Sequence, residues 1–269
     1  MTPKTTKARE VVLFSELFGF ITISPLQRFC EGSYNCYQFY NLPVKINREI
    51  LYNQRKEMMT IKNDQSIPKA TTLSEFPHPE IHPLLRSRRS SRIYDPNRLL
   101  TWEQIHILLE AARSAPSSGN RQPWIYLVFD PSDPAQLEKA RSCLNPDNQI
   151  WANRAPLLLL AVSQDIRPDG KENTKALHDL GMANQNILLQ ATAMGLHCRP
   201  MAGFDAEKAR NLFHIPEGYT PRVMIAVGYP GKLEDLPIEV QEKENKERSR
   251  NPVERFAYRG NWHQPLIED

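Results

Sequence analysis

The sequence has few cysteines and no residue pattern that is typical of a metal site. Its four cysteines include no C-x-x-C pair, and they are too sparse for a disulfide framework. The seven histidines include no H-E-x-x-H arrangement. His78 and His82 are four apart, but Pro79 and Pro83 break the helix that would align them. We therefore expect no metal ion, and a reducing, cytoplasmic compartment.

The chain also lacks the two common backbone cradles for nucleotide phosphates. It contains neither G-x-G-x-x-G nor G-x-x-x-x-G-K-[ST], so any phosphate must be held by side chains. The formal net charge is only +3 at pH 7, which is small for a nucleic-acid-binding protein. Ser117 and Ser118 have no evident base beside them in the sequence, and no other activated nucleophile is evident. We therefore expect a bound cofactor to carry any chemistry.

Residues 1–75 differ in character from the rest of the chain. Residues 11–23 are apolar behind a basic stretch, as in a secretory signal, but a glutamate interrupts them and no clean cleavage site follows. This run is shorter than the roughly 20 apolar residues of a membrane-spanning helix. We predict a partly disordered N-terminal extension over 1–75 and one domain with a C-terminal tail over 76–269. One hypothesis is that translation starts at Met58 or Met59, which the intact mass of the natural protein would test.

The most informative stretch runs from Arg88 to Trp124. If its first residues are extended, Arg88, Ser90 and Arg92 share one face, opposite Arg89. Guanidinium groups bind phosphate oxygens through paired hydrogen bonds and stay charged at any working pH. The alternatives to a phosphate-binding site are a solvated basic segment and a nucleic-acid-binding patch. Residues 115–124 hold prolines, a glycine and many hydrogen-bonding side chains, which together predict an ordered turn.

The remaining pattern predicts helices that alternate with short apolar strands. Thr101 and Gln104 form a capping box at the start of a helix that Pro116 ends. Apolar runs predict strands, and the run 157–162 is typical of a strand buried on both faces. The other expected elements are a strand over 124–129, helices over 135–144, 174–194 and 206–213, a short strand before Pro200, a strand over 222–227, and an exposed connection over 236–246.

Two motifs together carry a resemblance to a known family. The pattern R-R-S-x-R-x-Y over 88–94, followed by A-A-R-x-A-P-S-S-x-N-x-Q-P-W over 111–124, resembles the FMN-dependent nitroreductases. Further matches extend to about residue 262. The resemblance implies an α+β fold, an α/β sandwich in which helices flank a central, mostly antiparallel sheet. It also implies a long central helix at the interface of a homodimer, which here is the helix over 174–194.

The resemblance also implies where the cofactor binds. Two arginine clusters would hold the phosphate of FMN, Asn148 would contact the flavin ring, and the loop ending at Gly203 would lie against that ring. The loop over 116–120 would come from the other subunit. The implied FMN-binding positions are Arg88, Arg89, Ser90, Arg92, Pro116, Ser117, Ser118, Asn120, Asn148, Pro200, Met201, Ala202, Gly203, Arg248 and Arg250. The chain departs from many relatives at Trp151, where they carry a basic residue, and from some at Ala202, where they carry an acidic one.

The activity implied by the resemblance is an NAD(P)H oxidoreductase of the nitroreductase type. Hydride would pass from NAD(P)H through N5 of FMN to a nitroaromatic, quinone or similar small acceptor by a ping-pong mechanism. No side chain would be catalytic, and neither nucleic acid nor a membrane would be a partner. Two alternatives stay open: the same fold with another reaction (dehalogenase, flavin destructase or oxidase), and a flavin-binding protein without turnover. Neither the preference between NADH and NADPH nor the acceptor follows from the sequence.

Overall fold

The computed structural model describes residues 71–72 and 81–266 of the 269-residue chain. Most of the expected N-terminal extension, including Met58, Met59 and both N-terminal cysteines, lies outside the described residues, so its disorder remains a prediction. One short piece of it, Thr71–Thr72 (β1), is described. It pairs in antiparallel fashion with Ser249–Arg250 (β6), which places a short ladder at the C-terminal basic motif.

Four further strands form the main sheet. They are β2 (Trp124–Phe129), β3 (Leu157–Gln164), β4 (His197–Met201) and β5 (Tyr219–Gly228). Their order is β2-β3-β5-β4, and each neighbouring pair is antiparallel. The predicted strands are thus confirmed, and the sheet fits the predicted α+β class.

Seven α-helices occur between residues 81 and 266. They are α1 (Pro83–Ser87), α2 (Trp102–Arg113), α3 (Pro134–Ser142), α4 (Pro146–Ala152), α5 (Ala176–Ala193), α6 (Ala206–Leu212) and α7 (Ile238–Asn245). The predicted capping box of α2 is present, since Gln104 N–H donates to Thr101 Oγ1 (3.2 Å) and Thr101 N–H to Gln104 Oε1 (3.0 Å). None of these helices combines the length and apolarity needed to cross a membrane.

The core lies on both faces of the sheet. Leu158, Leu160 and Val162 of β3 pack on one side with α3 and α4, whereas Leu157, Leu159 and Ala161 pack on the other with α2 and α5. Alternate side chains of a strand point to opposite faces, so β3 is buried on both, as its apolar run predicts. All of these leucines are at most 1% exposed.

Two sequence expectations about helices are wrong. Residues 236–246 do not form an exposed connection, because α7 occupies 238–245 and both Leu236 and Val240 are only 4% exposed. Leu236 is extended just before α7 and Val240 lies on the helix, and both side chains pack in the same core cluster. In addition, the helical spacing of apolar residues over 174–194 predicts Leu177 on the buried side together with Leu180, but Leu177 on α5 is 57% exposed, since Ala176 and Leu180 occupy the buried stripe.

Tyr94 fixes the end of the basic segment to the sheet. Its side chain is fully buried, and its hydroxyl lies 3.1 Å from the Ser91 carbonyl oxygen and 3.3 Å from that of Ala226 on β5. Asp95 N–H donates to the Tyr229 carbonyl oxygen at 2.9 Å. A Cβ on Gly231 would collide with the Tyr94 backbone carbonyl, so this approach requires glycine. Tyr94 therefore holds the C-terminal end of the basic segment in a fixed position on the sheet.

Candidate functional site

The two arginine clusters, far apart in the sequence, line one cavity of about 190 Å³. We call it the basic cavity. Arg88 donates to Ser90 Oγ at 3.2 Å, so these side chains lie together, as the extended-segment argument predicts. Arg89 lines the cavity as well, although strand alternation placed it on the opposite face, because residues 88–93 belong to no ladder. The lining residues are Arg88, Arg89, Ser90, Arg92, Lys243, Glu244, Lys246, Arg248 and Arg250.

Positive charge dominates the basic cavity, which has seven cationic side chains and one carboxylate in its lining. Burial lowers the pKa of the Arg88 guanidinium, and the nearby charge of Arg250 lowers it further. Burial also lowers the pKa of Arg248, followed by repulsion from Arg88, Arg250 and Arg89. These groups stay protonated at working pH, so their mutual repulsion favours an anion of high charge density between them.

The one carboxylate in that lining belongs to Glu244 on α7. Its Oε2 accepts from the backbone N–H of Arg92 at 3.2 Å and from the Arg92 guanidinium at 3.4 Å. The Glu244 side chain is only 10% exposed. Since α7 was not predicted, the sequence argument missed Glu244 and the lysines Lys243 and Lys246.

A second cavity of about 460 Å³ adjoins the first and shares Arg92 and Lys243 with it. We call it the adjoining cavity. Asn148, predicted as a ring contact, lines it from α4 together with Trp151. Asn148 Nδ2 donates to the Gly203 carbonyl oxygen at 2.8 Å. A Cβ on Gly203 would lie 2.8 Å from that same nitrogen, so glycine at 203 lets Asn148 tie α4 to the loop after β4.

Eight of the predicted positions line neither cavity. Met201, the last residue of β4, is buried, Ala202 in the loop that follows is exposed, and this loop reaches the site through the Gly203 carbonyl oxygen. The loop over 116–120 lines neither cavity, and in it the backbone N–H of Ser118 donates to Asp179 Oδ2 on α5 at 3.1 Å. The eight positions are Pro116, Ser117, Ser118, Asn120, Pro200, Met201, Ala202 and Gly203.

Asp179 anchors the loop over 116–120, a role that sequence reasoning missed. Its side chain is 2% exposed. We expect Asp179→Ala to lower the free energy of unfolding by about 1.5–3 kcal/mol, the contribution of a hydrogen bond to a charged group, because it removes the carboxylate that accepts from the Ser118 N–H. Hydrogen exchange should rise at residues 116–122, and urea unfolding gives the stability. Asp179→Asn keeps an acceptor oxygen and should lose less; equal exchange in wild type and Asp179→Ala would disprove the anchoring role.

Arg199, which the sequence argument did not single out, lines neither cavity but contacts one lining residue of each. It lies on β4, and its guanidinium donates to the Ser90 carbonyl oxygen. Its Cζ lies 5.2 Å from the centroid of the Trp151 ring. The signal available in the sequence was a charged residue directly before Pro200, at the end of a short expected strand.

This donor set fits a phosphate monoester that carries a larger, partly polar group. Guanidinium and hydroxyl groups converge on the basic cavity, and fixed guanidinium forks bind phosphate oxygens. The adjoining cavity offers Asn148 as a polar contact and Trp151 as an aromatic one. Among residues 81–266 and 71–72, no group of three or more metal-ligating side chains could hold a metal ion.

Known proteins resemble this chain over more than half of its length. "Protein DrgA" of Synechocystis sp. is 31% identical over 196 residues, which cover 61% of this chain and 87% of that protein. An oxygen-insensitive NAD(P)H nitroreductase of Salmonella typhimurium is 28% identical over 184 residues, covering 53% and 85%. A crystal structure described as an oxidoreductase containing FMN superposes with a TM-score of 0.65 at 27% identity, covering 73% of this chain and 98% of that one.

The family assignment rests on a match that covers most of the residues described by the structure. The sequence model of the nitroreductase family matches residues 85–229, more than half of the chain. That range contains the Arg88 cluster, Asn148, Gly203 and all four strands of the main sheet. The fold of the solved relative agrees with the α+β architecture seen here. The chain belongs to the nitroreductase family.

Proposed function

We propose that this chain is an FMN-dependent NAD(P)H oxidoreductase of the nitroreductase type. The observation that carries the proposal is the convergence of Arg88 and Arg250 on one cavity, next to a second cavity lined by Asn148. The name of the Salmonella relative, an NAD(P)H nitroreductase, supports the choice of reductant. The FMN in the solved relative supports the choice of cofactor.

The residues present have the chemistry to hold FMN. The phosphate would be bound by Arg88, Ser90, Arg248 and Arg250. The lining of the basic cavity has far more cationic side chains than carboxylates, so a bound phosphate would neutralise part of its positive charge. Arg92 and Asn148, in the adjoining cavity, would contact the polar part of the ring. FMN, when bound, supplies the redox chemistry: it takes hydride from NAD(P)H and gives it to an electron-poor acceptor in alternating half-reactions. The side chains therefore need to bind and orient rather than act as acid or base.

Purified protein tests the proposal in two half-reactions. The protein should carry FMN with a flavin absorption spectrum, and NADH or NADPH should bleach that absorption under anaerobic conditions without any acceptor. Adding a nitroaromatic compound or a quinone should then restore the colour. Lack of bleaching by either nicotinamide would refute the oxidoreductase assignment and leave a flavin-binding protein without turnover. Bleaching without reoxidation by these acceptors would instead favour another reaction on the same fold.

We also propose a cytoplasmic homodimer in which the loop over 116–120 of one subunit reaches the site of the other. Two observations support the dimer. This loop lines neither cavity of its own chain, and α5 carries Leu177, 57% exposed, one turn before Gly181, which has open space around it. None of the residues described by the structure covers the face of α5 that holds both residues, so this face can pack on a second copy.

The dimer proposal predicts a change of mass in a single variant. Wild-type protein should elute with twice the chain mass of 31.0 kDa. Gly181→Arg should shift the protein towards the monomer, because a long charged side chain would be placed in a close helix contact. Light scattering after size-exclusion chromatography measures the mass, with Ala135→Arg on the exposed start of α3 as the control. A dimer that survives Gly181→Arg would show that α5 is not the interface.

A further inference from the structure

Arg199 joins three parts of the site through its side chain and its position. Its guanidinium donates to the backbone carbonyl of Ser90, in the basic segment. The same group lies 5.2 Å from the centroid of the Trp151 ring on α4, a distance within the range of cation–π contacts. In the sequence it directly precedes Pro200 and the loop that ends at Gly203. Arg199 itself lines neither cavity, but Ser90 lines the basic cavity and Trp151 lines the adjoining one, so these contacts fix a positive charge directly behind the walls of both.

Within residues 81–266, no carboxylate forms a direct ion pair with Arg199. Glu244 attracts it from a distance, but the Glu244 carboxylate is bonded to Arg92. Burial lowers the pKa of Arg199, and the charge of Arg92 lowers it further. Partial burial of an unpaired guanidinium destabilises the folded protein, and a bound anion nearby would offset this cost.

The side chains around Arg199 also reduce the screening of its positive charge by water. Tyr94, fully buried, and Trp151, 2% exposed, flank the guanidinium. Because charges interact more strongly where water is excluded, Arg199 acts on a neighbouring ligand more strongly than an exposed arginine such as Arg89 can.

We propose that Arg199 supplies a fixed positive charge that favours reduced over oxidised FMN in this site. The inference rests on the proposed function, because it requires FMN in the two cavities. Uptake of two electrons and one proton gives the flavin ring one additional negative charge, while the charge of the phosphate does not change. A fixed cation directly behind the Trp151 wall of the adjoining cavity therefore stabilises the reduced form more than the oxidised form. Cations that hold only the phosphate bind both forms alike.

This distinction separates Arg199 from Arg88 by experiment. Arg199→Gln should raise the dissociation constant of reduced FMN at least tenfold more than that of oxidised FMN. For a two-electron couple, a tenfold change corresponds to a midpoint potential about 30 mV more negative. Arg88→Gln should weaken both forms by similar factors and leave the potential near that of wild type.

The test measures the midpoint potential of bound FMN, together with the affinity for each redox state. Arg199→Lys keeps the charge and should keep most of the wild-type potential, and Lys139→Gln, an exposed cation on α3, is the control for net charge. Arg199→Met fills the same space without charge and replaces Arg199→Gln if that variant does not fold. A ratio of affinities unchanged in Arg199→Gln, or a shift in Arg199→Lys as large as in Arg199→Gln, would overturn the inference. Wild-type protein that binds no FMN at all would overturn the proposed function itself.

Discussion

The variant Arg88→Gln is expected to bind FMN about 10- to 100-fold more weakly than wild type. Arg88 is half-buried in the basic cavity and bonded to Ser90. Hydrogen bonds to a charged group contribute about 1.5–3 kcal/mol, and each 1.4 kcal/mol is about a factor of ten in the dissociation constant. Arg250→Gln should have a smaller effect, because Arg250 is exposed. Quenching of flavin fluorescence on binding measures both.

The same variant should not lose stability without the cofactor. Burial and the charge of Arg250 both lower the pKa of Arg88, so removing this cation relieves a cost of the empty site. We expect the unfolding midpoint of FMN-free Arg88→Gln to equal or exceed that of FMN-free wild type. Arg113→Gln, an exposed cation paired with Glu110 on α2, controls for net charge. Full FMN content in both Arg88→Gln and Arg250→Gln would refute the phosphate assignment.

Tyr94→Ala is expected to cost about 3–5 kcal/mol of stability, as large aromatic-to-alanine changes do in a core. Tyr94 is fully buried and lies 6.2 Å, centroid to centroid, from the stacked ring of Trp151. The variant should also lose FMN, because Tyr94 holds the end of the segment that carries Arg88. Urea unfolding and flavin content measure the two effects.

Tyr94→Phe separates the two roles of the tyrosine. It keeps the buried ring but removes the hydroxyl that lies within hydrogen-bonding distance of the Ser91 and Ala226 carbonyls. We expect a loss of about 1–3 kcal/mol, the cost of leaving a buried acceptor without its donor. Retained FMN binding by Tyr94→Ala would show that the basic segment does not depend on this anchor.

The parts of the fold that were predicted correctly rest on local patterns. Thr101 and Gln104 define the start of α2 because a capping box uses only neighbouring backbone donors. The strand β3 was predicted because its apolar run is short and continuous. The convergence of Arg88 and Arg250 followed from the family resemblance, since no local pattern joins residues so far apart in the chain.

The parts that were missed depend on tertiary contacts. The helix α7 is short and rich in charge, and the burial of Val240 on it and of Leu236 just before it exists only when the core is in place. Glu244 was missed together with α7. Asp179 reads as an ordinary helix residue, because its acceptor role depends on Ser118, a residue 61 positions away. Arg199 was missed for the same reason, because only the fold brings Ser90 and Trp151 into contact with it.

A crystal structure of this protein grown with FMN is the most direct test of the claim that both arginine clusters hold one phosphate. We expect phosphate oxygens within about 3 Å of guanidinium nitrogens of both Arg88 and Arg250, the usual length of a charge-assisted hydrogen bond. The flavin ring should lie beside Asn148 and Gly203. An FMN phosphate bound away from Arg88 and Arg250 would contradict that claim, whatever activity the protein shows.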